Sequence, residues 1–337
     1  MRGIHFWIMA AAAALLLSAC GGGESDGQGG QRRFVSIGSA PPGGAFFVVG
    51  SAVAEVLNAN AAGNWEVNNE ATSGSQENIR RLDAGDLDLA VSNAAITYSS
   101  LKGGRDWDKA YEMRSLMTLA PNIALFITSA GSSVRSVEDL KGKRVVVGPP
   151  GAGFEHFLAP LLEAHGVSYD DFTPLYNSQA GAVDMLSDGS ASAAFLGGAV
   201  PTASITQASA SMDIYFVPYD EEAKQRAIRD YPFFTAATIP AATYRNQEEP
   251  FQGLNVGSMH LITAASVDEE LVYQITKTLY ENRQQVAEKH PAGRAINPEN
   301  VVRNVGTPFH PGAIRYYREI GIWPEAEAED QSQSEDR

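Results

Sequence analysis

Short apolar runs alternate with longer segments of helical periodicity along most of the chain. The runs Phe34–Gly38, Trp65–Asn69, Leu87–Ser92, Arg144–Gly148, Ala193–Gly197 and Ile214–Pro218 are of strand length. Between them, Ala45–Asn58, Ser75–Ala84, Phe154–His165, Ala180–Leu186 and Asp220–Asp230 are of helix length. One longer helix is expected over Asp268–Glu288, where Leu271, Ile275, Leu279 and Val286 fall on one face. This alternation predicts an α/β fold with mainly parallel sheets. No internal repeat of roughly 20–50 residues interrupts it.

The two ends break the pattern. Arg2 and His5 precede an apolar run from Phe6 to Leu17, too short to span a bilayer comfortably but suited to a signal-peptide core. It ends in Leu17-Ser18-Ala19-Cys20, which resembles a bacterial lipobox. Residues 1–19 are therefore expected to be removed and Cys20 to be lipidated, holding the protein outside the cytoplasm, in the periplasm, on a membrane. An ordinary signal peptide with a coincidental cysteine is the alternative. The only cysteine of the chain sits at the lipobox position, and Gly21-Gly22-Gly23 follows, both of which favour the anchor. Residues 20–33 read as a Gly-rich tether. Residues 321–337 read as an acidic tail, since Glu325–Arg337 carries six acids, one base and no large apolar residue.

Composition narrows the function. A chain of 337 residues suggests about two domains. The net charge of −15 repels nucleic acid, so none is expected as a partner. A single cysteine excludes an internal disulfide framework and a multi-thiolate zinc site, and no metal or cofactor is expected. His156, His165, His260, His290 and His310 form no HExxH pattern, and neither a Gly-x-Ser-x-Gly elbow nor a Walker A lysine is present. The chain is thus read as a non-enzyme, with a secreted hydrolase as a remote alternative. Glu155 and His156 are adjacent, so they do not face one another on a helix; following Phe154 at a helix start, either could line a cleft, but both read as exposed positions. Arg80 and Arg81 read as surface, and Lys141, Lys143 and Arg144 as a solvated turn.

Four strand-to-helix turns are rich in Gly or Ser. They are Ile37-Gly38-Ser39-Ala40-Pro41-Pro42-Gly43-Gly44-Ala45, Glu70-Ala71-Thr72-Ser73-Gly74-Ser75, Gly148-Pro149-Pro150-Gly151-Ala152-Gly153 and Leu196-Gly197-Gly198-Ala199-Val200-Pro201. Free N–H groups at a helix start, with the positive end of the helix dipole, can hold an anion without lysine or arginine. In open α/β sheets such turns lie at the carboxyl ends of strands, where ligands bind. One such loop alone is more simply a tight turn. Four, two in each half, point to a shared cleft.

From Phe34 to Gly321 these motifs resemble the TAXI-type solute receptors of tripartite ATP-independent periplasmic (TRAP) transporters. The resemblance rests on the glycine turns above, on Glu70–Asn78, on Gly85-Asp86-Leu87-Asp88-Leu89-Ala90, on Leu140–Val145, on Gly197–Pro201 and on His310-Pro311-Gly312-Ala313 with Tyr316-Tyr317. It implies a type II periplasmic-binding-protein fold: lobe 1 from residues 34–127 plus 250–320, lobe 2 from 128–249, and a ligand cleft between them. It further implies a monomer that closes on a small organic anion, such as a dicarboxylate or glutamate, and delivers it to an ion-gradient-driven TRAP permease. Gly43, Gly44, Ala45, Thr72, Ser75 and Asn93 match ligand-facing positions of the first lobe, and Gly151, Gly153, Gly198 and Pro201 those of the second. The chain departs from the family pattern at Pro42, Phe46, Phe47, Ala152 and Phe154, each replacing a usual polar group. These departures suggest a ligand with one carboxylate and an apolar body, unless the aromatics pack beneath the loops. A receptor of the same fold serving an ATP-driven (ABC) transporter or a sensor is the alternative.

Overall fold

The computed structural model describes residues 33–42, 44–60, 65–104 and 107–325. Signal peptide, Cys20, nearly all of the tether, Gly43 and the tail beyond residue 325 lie outside the described residues. The first elements are β1 (Arg33–Gly38), α1 (Ala45–Asn60), β2 (Trp65–Glu70), α2 (Ser75–Ala84), β3 (Leu89–Asn93), α3 (Ala94–Lys102) and β4 (Met113–Ala120). The middle of the chain supplies β5 (Ile123–Ser129), β6 (Arg144–Val146), α4 (Glu155–Ala164), β7 (Thr173–Leu175), α5 (Gln179–Ser187), β8 (Ala193–Gly198), α6 (Ala203–Ser211), β9 (Ile214–Phe216), α7 (Glu221–Asp230) and β10 (Phe234–Ile239). It closes with β11 (Phe251–Val256), β12 (Met259–Ala264), α8 (Glu269–Glu281), α9 (Arg283–Lys289), α10 (Pro298–Val301) and α11 (Pro311–Glu319).

The strands form two sheets. The five-stranded sheet has the order β2-β1-β3-β12-β4, and the seven-stranded sheet the order β10-β11-β5-β8-β6-β7 with β9 also paired to β5. The expectation of mainly parallel sheets is corrected. Only β1 with β2 and β3, and β6 with β7 and β8, run parallel; the remaining pairs are antiparallel. The reason is that the chain passes directly between sheets twice. β4 leads into β5 through Pro121-Asn122, and β11 into β12 through Gly257-Ser258. Each strand that arrives this way runs against its neighbours, whereas helical crossovers create the parallel pairs. The sheet-to-sheet passages thus fall at 121–122 and 257–258.

The expected helix over Asp268–Glu288 is two helices. α8 ends at Asn282, whose Nδ2 donates to the Thr278 carbonyl at 2.9 Å, and α9 restarts immediately.

The passages lie side by side. Asn122 donates its N–H to Asn255 Oδ1 at 3.0 Å and accepts from the Val256 N–H at 2.9 Å. Asn255 Nδ2 reaches Ser258 Oγ at 2.8 Å. Gly257 stands at φ 108°, and a Cβ there would lie 2.4 Å from Asn93 Oδ1, so glycine is required on both counts. One buried apolar cluster fills the smaller sheet's face under α1, α8 and α11, with Val53, Leu57, Leu261, Ile275 and Tyr317. The other runs from Phe126, Phe157 and Phe195 of the larger half to Ile79, Ile96 and Trp107 beneath α2 and α3 of the smaller one.

Candidate functional site

The four Gly- or Ser-rich turns come together in pairs across the seam between the halves. A Cβ placed on Gly74, before α2, would stand 3.8 Å from the Cα and Cβ of Ala152, before α4. One placed on Gly198, at the end of β8, would stand 3.7 Å from Ala45 Cβ, the first residue of α1. Each pair joins one loop of the smaller half to one of the larger. A side chain would make only ordinary contact at either place; what favours glycine is the backbone, at φ 125° for Gly74 and 155° for Gly198.

Most helices away from this seam are capped by a side chain, α9 after Asn282 excepted, whereas those that open at it are not. α3, α5, α7, α8, α10 and α11 are capped by the side chains of Asn93, Ser178, Asp220, Asp268, Asn297 and His310. α2, α4 and α6 follow Gly74, Phe154 and Thr202 with no side-chain cap bond. α1 follows Gly44, which has no side chain to offer and whose carbonyl accepts the Val48 N–H at 3.1 Å. At α4 the His156 and Phe157 N–H groups already donate to the Gly153 and Phe154 carbonyls at 3.1 and 3.2 Å; at the other three starts the first-turn N–H groups and the positive helix end favour an anion.

The hydroxyl and amide side chains expected at the cleft build the loops. Thr72 Oγ1 donates to the Ser39 carbonyl at 3.1 Å and accepts the Gly74 N–H at 3.2 Å. Ser75 Oγ accepts the Asn93 N–H at 2.9 Å. Asn93 is buried, with Oδ1 accepting from the Ala95 N–H at 2.8 Å and Nδ2 donating to the Gly257 carbonyl at 2.9 Å. Thr72 ties the α2 turn to the loop after β1, and Ser75 with Asn93 ties it to the passage between sheets. Glu77 adds to this, its Oε2 accepting the Ser73 N–H at 2.8 Å, which holds its carboxyl below the usual range.

Gly151 and Gly153 take φ 74° and 84°, the left-handed region glycine favours. Gly151 is exposed, as are Gly44 and Pro201, whereas Ala152 and Gly153 are buried. Phe154 packs inward: its ring lies 5.0 Å from that of Phe157 and fills the space beside Gly148, where a Cβ would come within 2.3 Å of it. Phe46 is half-buried against the smaller sheet's core, and Phe47 is half-buried. Packing beneath the loop therefore describes Phe154.

Two residues depart from the sequence reading, Glu155, which is half-buried, and His156. His156 is buried, 7% exposed, where an exposed helix position was expected. Its Nδ1 lies 2.9 Å from Ser99 Oγ, and its ring stacks on Trp107 at 5.5 Å and 20°. Both partners are distant in sequence and belong to the other half, so no local pattern signals the contact. Gln179 was likewise not anticipated. Its Nε2 donates to the Gly197 carbonyl at 2.8 Å and its Oε1 accepts the Gly197 N–H at 3.2 Å, bracing the fourth loop.

A family profile described as the NMT1-like family matches residues 37–321, most of the chain. The chain belongs to the NMT1-like family. Solved structures similar to this NMT1-like protein include one from Bordetella bronchiseptica RB50, at 13% identity and TM-score 0.53, covering 86% of this chain and 89% of that one. Another is the alkanesulfonate-binding protein SsuA from Xanthomonas axonopodis pv. citri bound to MOPS, at 15% identity and TM-score 0.48, covering 85% and 90%. A third comes from a study of glutathione import via GshT and the cystine ABC importer TcyBC of Streptococcus mutans, at 11% identity and TM-score 0.49, covering 83% and 97%. The two-sheet α/β architecture is shared with the Bordetella bronchiseptica structure. Among the described residues, no helix is long and apolar enough to cross a membrane, and no cluster of His, Cys, Asp or Glu is fit to hold a metal ion.

Proposed function

We propose that this NMT1-like protein is an extracytoplasmic solute receptor that closes its two halves around a small organic anion and hands it to a membrane permease. The observation that carries the reading is that the four turns meet in two pairs, each joining the halves, at helix starts that no side chain caps. Anion capture by backbone N–H groups suits a chain of net charge −15, whose long-range field does not attract anions. Ala45, Phe46, Phe47, Gly151, Ala152, Gly153, Gly198 and Pro201 are the proposed lining, with Gly43 and Gly44 leading into it. Thr72, Ser75 and Asn93 are proposed to hold the turns in place.

The finer reading follows the resemblance: a TAXI-type receptor, lipid-anchored through Cys20 and non-enzymatic, serving a TRAP permease that uses an ion gradient. Thermal-shift screening of the purified chain against glutamate, dicarboxylates and apolar monocarboxylates tests the binding reading, because a ligand of the folded state raises the melting temperature by mass action. A shift of several degrees with one class is expected, and a flat response across the panel would remove the reading. Uptake into vesicles holding the neighbouring permease separates the transporter types. Dependence on an ion gradient supports the TRAP assignment, and dependence on ATP the ABC alternative.

A further inference from the structure

We propose that His156 is a closure latch, a plug from the larger half that seats in a socket on the smaller one and so sets how often the protein is open. The inference deepens the receptor reading and rests on it for its purpose. The socket is assembled entirely within the smaller half. Trp107 is 4% exposed and is held edge-on by Tyr111 at 5.3 Å and by its Nε1 donating to Ser99 Oγ at 3.2 Å. The Arg80 guanidinium sits 5.2 Å from the Trp107 ring centroid. Into this arrangement the larger half sends the imidazole of His156, which lies flat on the indole and shares the Ser99 hydroxyl with it.

Two features make this a latch rather than ordinary packing. His156 is the second residue of α4, three residues after Gly153, so the plug and the third glycine turn move as one piece. A Cβ on Gly153 would meet Ile96 of α3 and the His156 ring at 3.3 Å each, so glycine keeps the seam thin where the plug enters. The socket helix α3 itself starts at the passage between sheets, with the Ala94 N–H donating to the Ser258 carbonyl at 2.9 Å. Withdrawal of His156 therefore opens the seam at the third turn. Imidazole suits the task because it can stack and hydrogen-bond at once, whereas phenylalanine does only the first and asparagine only the second.

The test compares His156→Ala, His156→Phe and His156→Asn with the wild type, using the full chain without added ligand. Loss of one stacking contact and one hydrogen bond is expected to raise the open population about tenfold. It reads out as about tenfold faster amide hydrogen exchange confined to α3 and the first turn of α4, with a larger radius of gyration by small-angle scattering. The phenylalanine and asparagine variants are each expected to restore part of the protection. Unchanged exchange and scattering in His156→Ala would overturn the proposal. So would faster exchange spread evenly over the whole molecule, the signature of a merely structural core residue. A melting shift of the wild type with glutamate or a monocarboxylate is read separately. If none occurs while His156→Ala opens the seam, the latch stands and the receptor reading fails.

Discussion

His260 shows how strongly a single buried residue can govern this protein's response to acid. It is fully buried on β12, with Nε2 2.9 Å from Thr97 Oγ1, and desolvation pushes its pKa down to about 3. A histidine held neutral in the fold but free to protonate near pH 6.5 when unfolded makes the unfolded chain bind more protons as pH falls. Stability is therefore full above about pH 6.5 and drains away toward pH 3, at roughly 1.4 kcal/mol per pH unit from this residue. Burial lowers His165, His290 and His310 as well, so all act in the same direction. In His260→Gln, the loss of unfolding free energy between pH 7 and pH 5, measured by urea denaturation, is expected to shrink by about 2 kcal/mol. An unchanged difference would mean that His260 is solvated or already protonated in the fold. His156 marks the limit of reading such residues from sequence. Its neighbour Glu155 is half-buried, and nothing local distinguishes the two; what buries the imidazole is Trp107 and Ser99, some 50 residues away.

At the scale of elements, a helix start can serve either its own stability or a ligand, and the four helices at the seam leave that choice open. Gly44 is exposed and has room for a side chain, the nearest atom to an added Cβ being the Pro41 carbonyl oxygen at 3.6 Å. Gly44→Asp would supply α1 with a capping carboxylate and a negative charge at its positive end, worth about 0.5–1 kcal/mol. It would also occupy the N–H groups proposed for the anion. The expected result is a melting temperature that rises by a few degrees without ligand, together with at least tenfold weaker binding of whichever anion shifts the wild type. Higher stability with undiminished affinity would place the ligand elsewhere. The elements around these turns were legible because each carries its own period and its own glycine: β1, α1, β2 and α2 follow the spans read from sequence closely. β4, β5, β11 and β12 were not. Buried on both faces, Met113–Ala120 and Ile123–Ser129 merge into one apolar stretch broken only by Pro121-Asn122, and which sheet each strand joins depends on partners far along the chain. The same distance effect hid the mixed strand directions. The four turns were legible from their glycines, whereas the backbone partners of Thr72, Ser75 and Asn93 were not, because they lie far along the chain.

For the whole molecule, the question is whether two halves mean two folding units. The smaller sheet is built from both ends of the described chain, with β1 to β4 from the first part and β12 from the last, so the larger half is inserted within it. It cannot be completed until β11 has led into β12. The buried cluster that runs from Phe195 through Phe157 to Ile96 and Trp107 adds a shared core across the seam. Loss of either half thus exposes apolar surface of the other, and the halves are expected to unfold together. The tryptophans provide the test. Of the four tryptophans, Trp65, Trp107 and Trp323 belong to the smaller half and Trp7 to the expected signal peptide, so in the chain from residue 20 fluorescence follows that half alone, whereas far-ultraviolet circular dichroism follows helices and strands of both. In urea the two signals should give one coincident transition with a single midpoint. Separated midpoints would mean that the shared core is too weak to couple the halves. His156→Ala joins this test to the latch: by loosening the seam without removing either passage between sheets, it should open the protein while leaving the two unfolding curves superimposed.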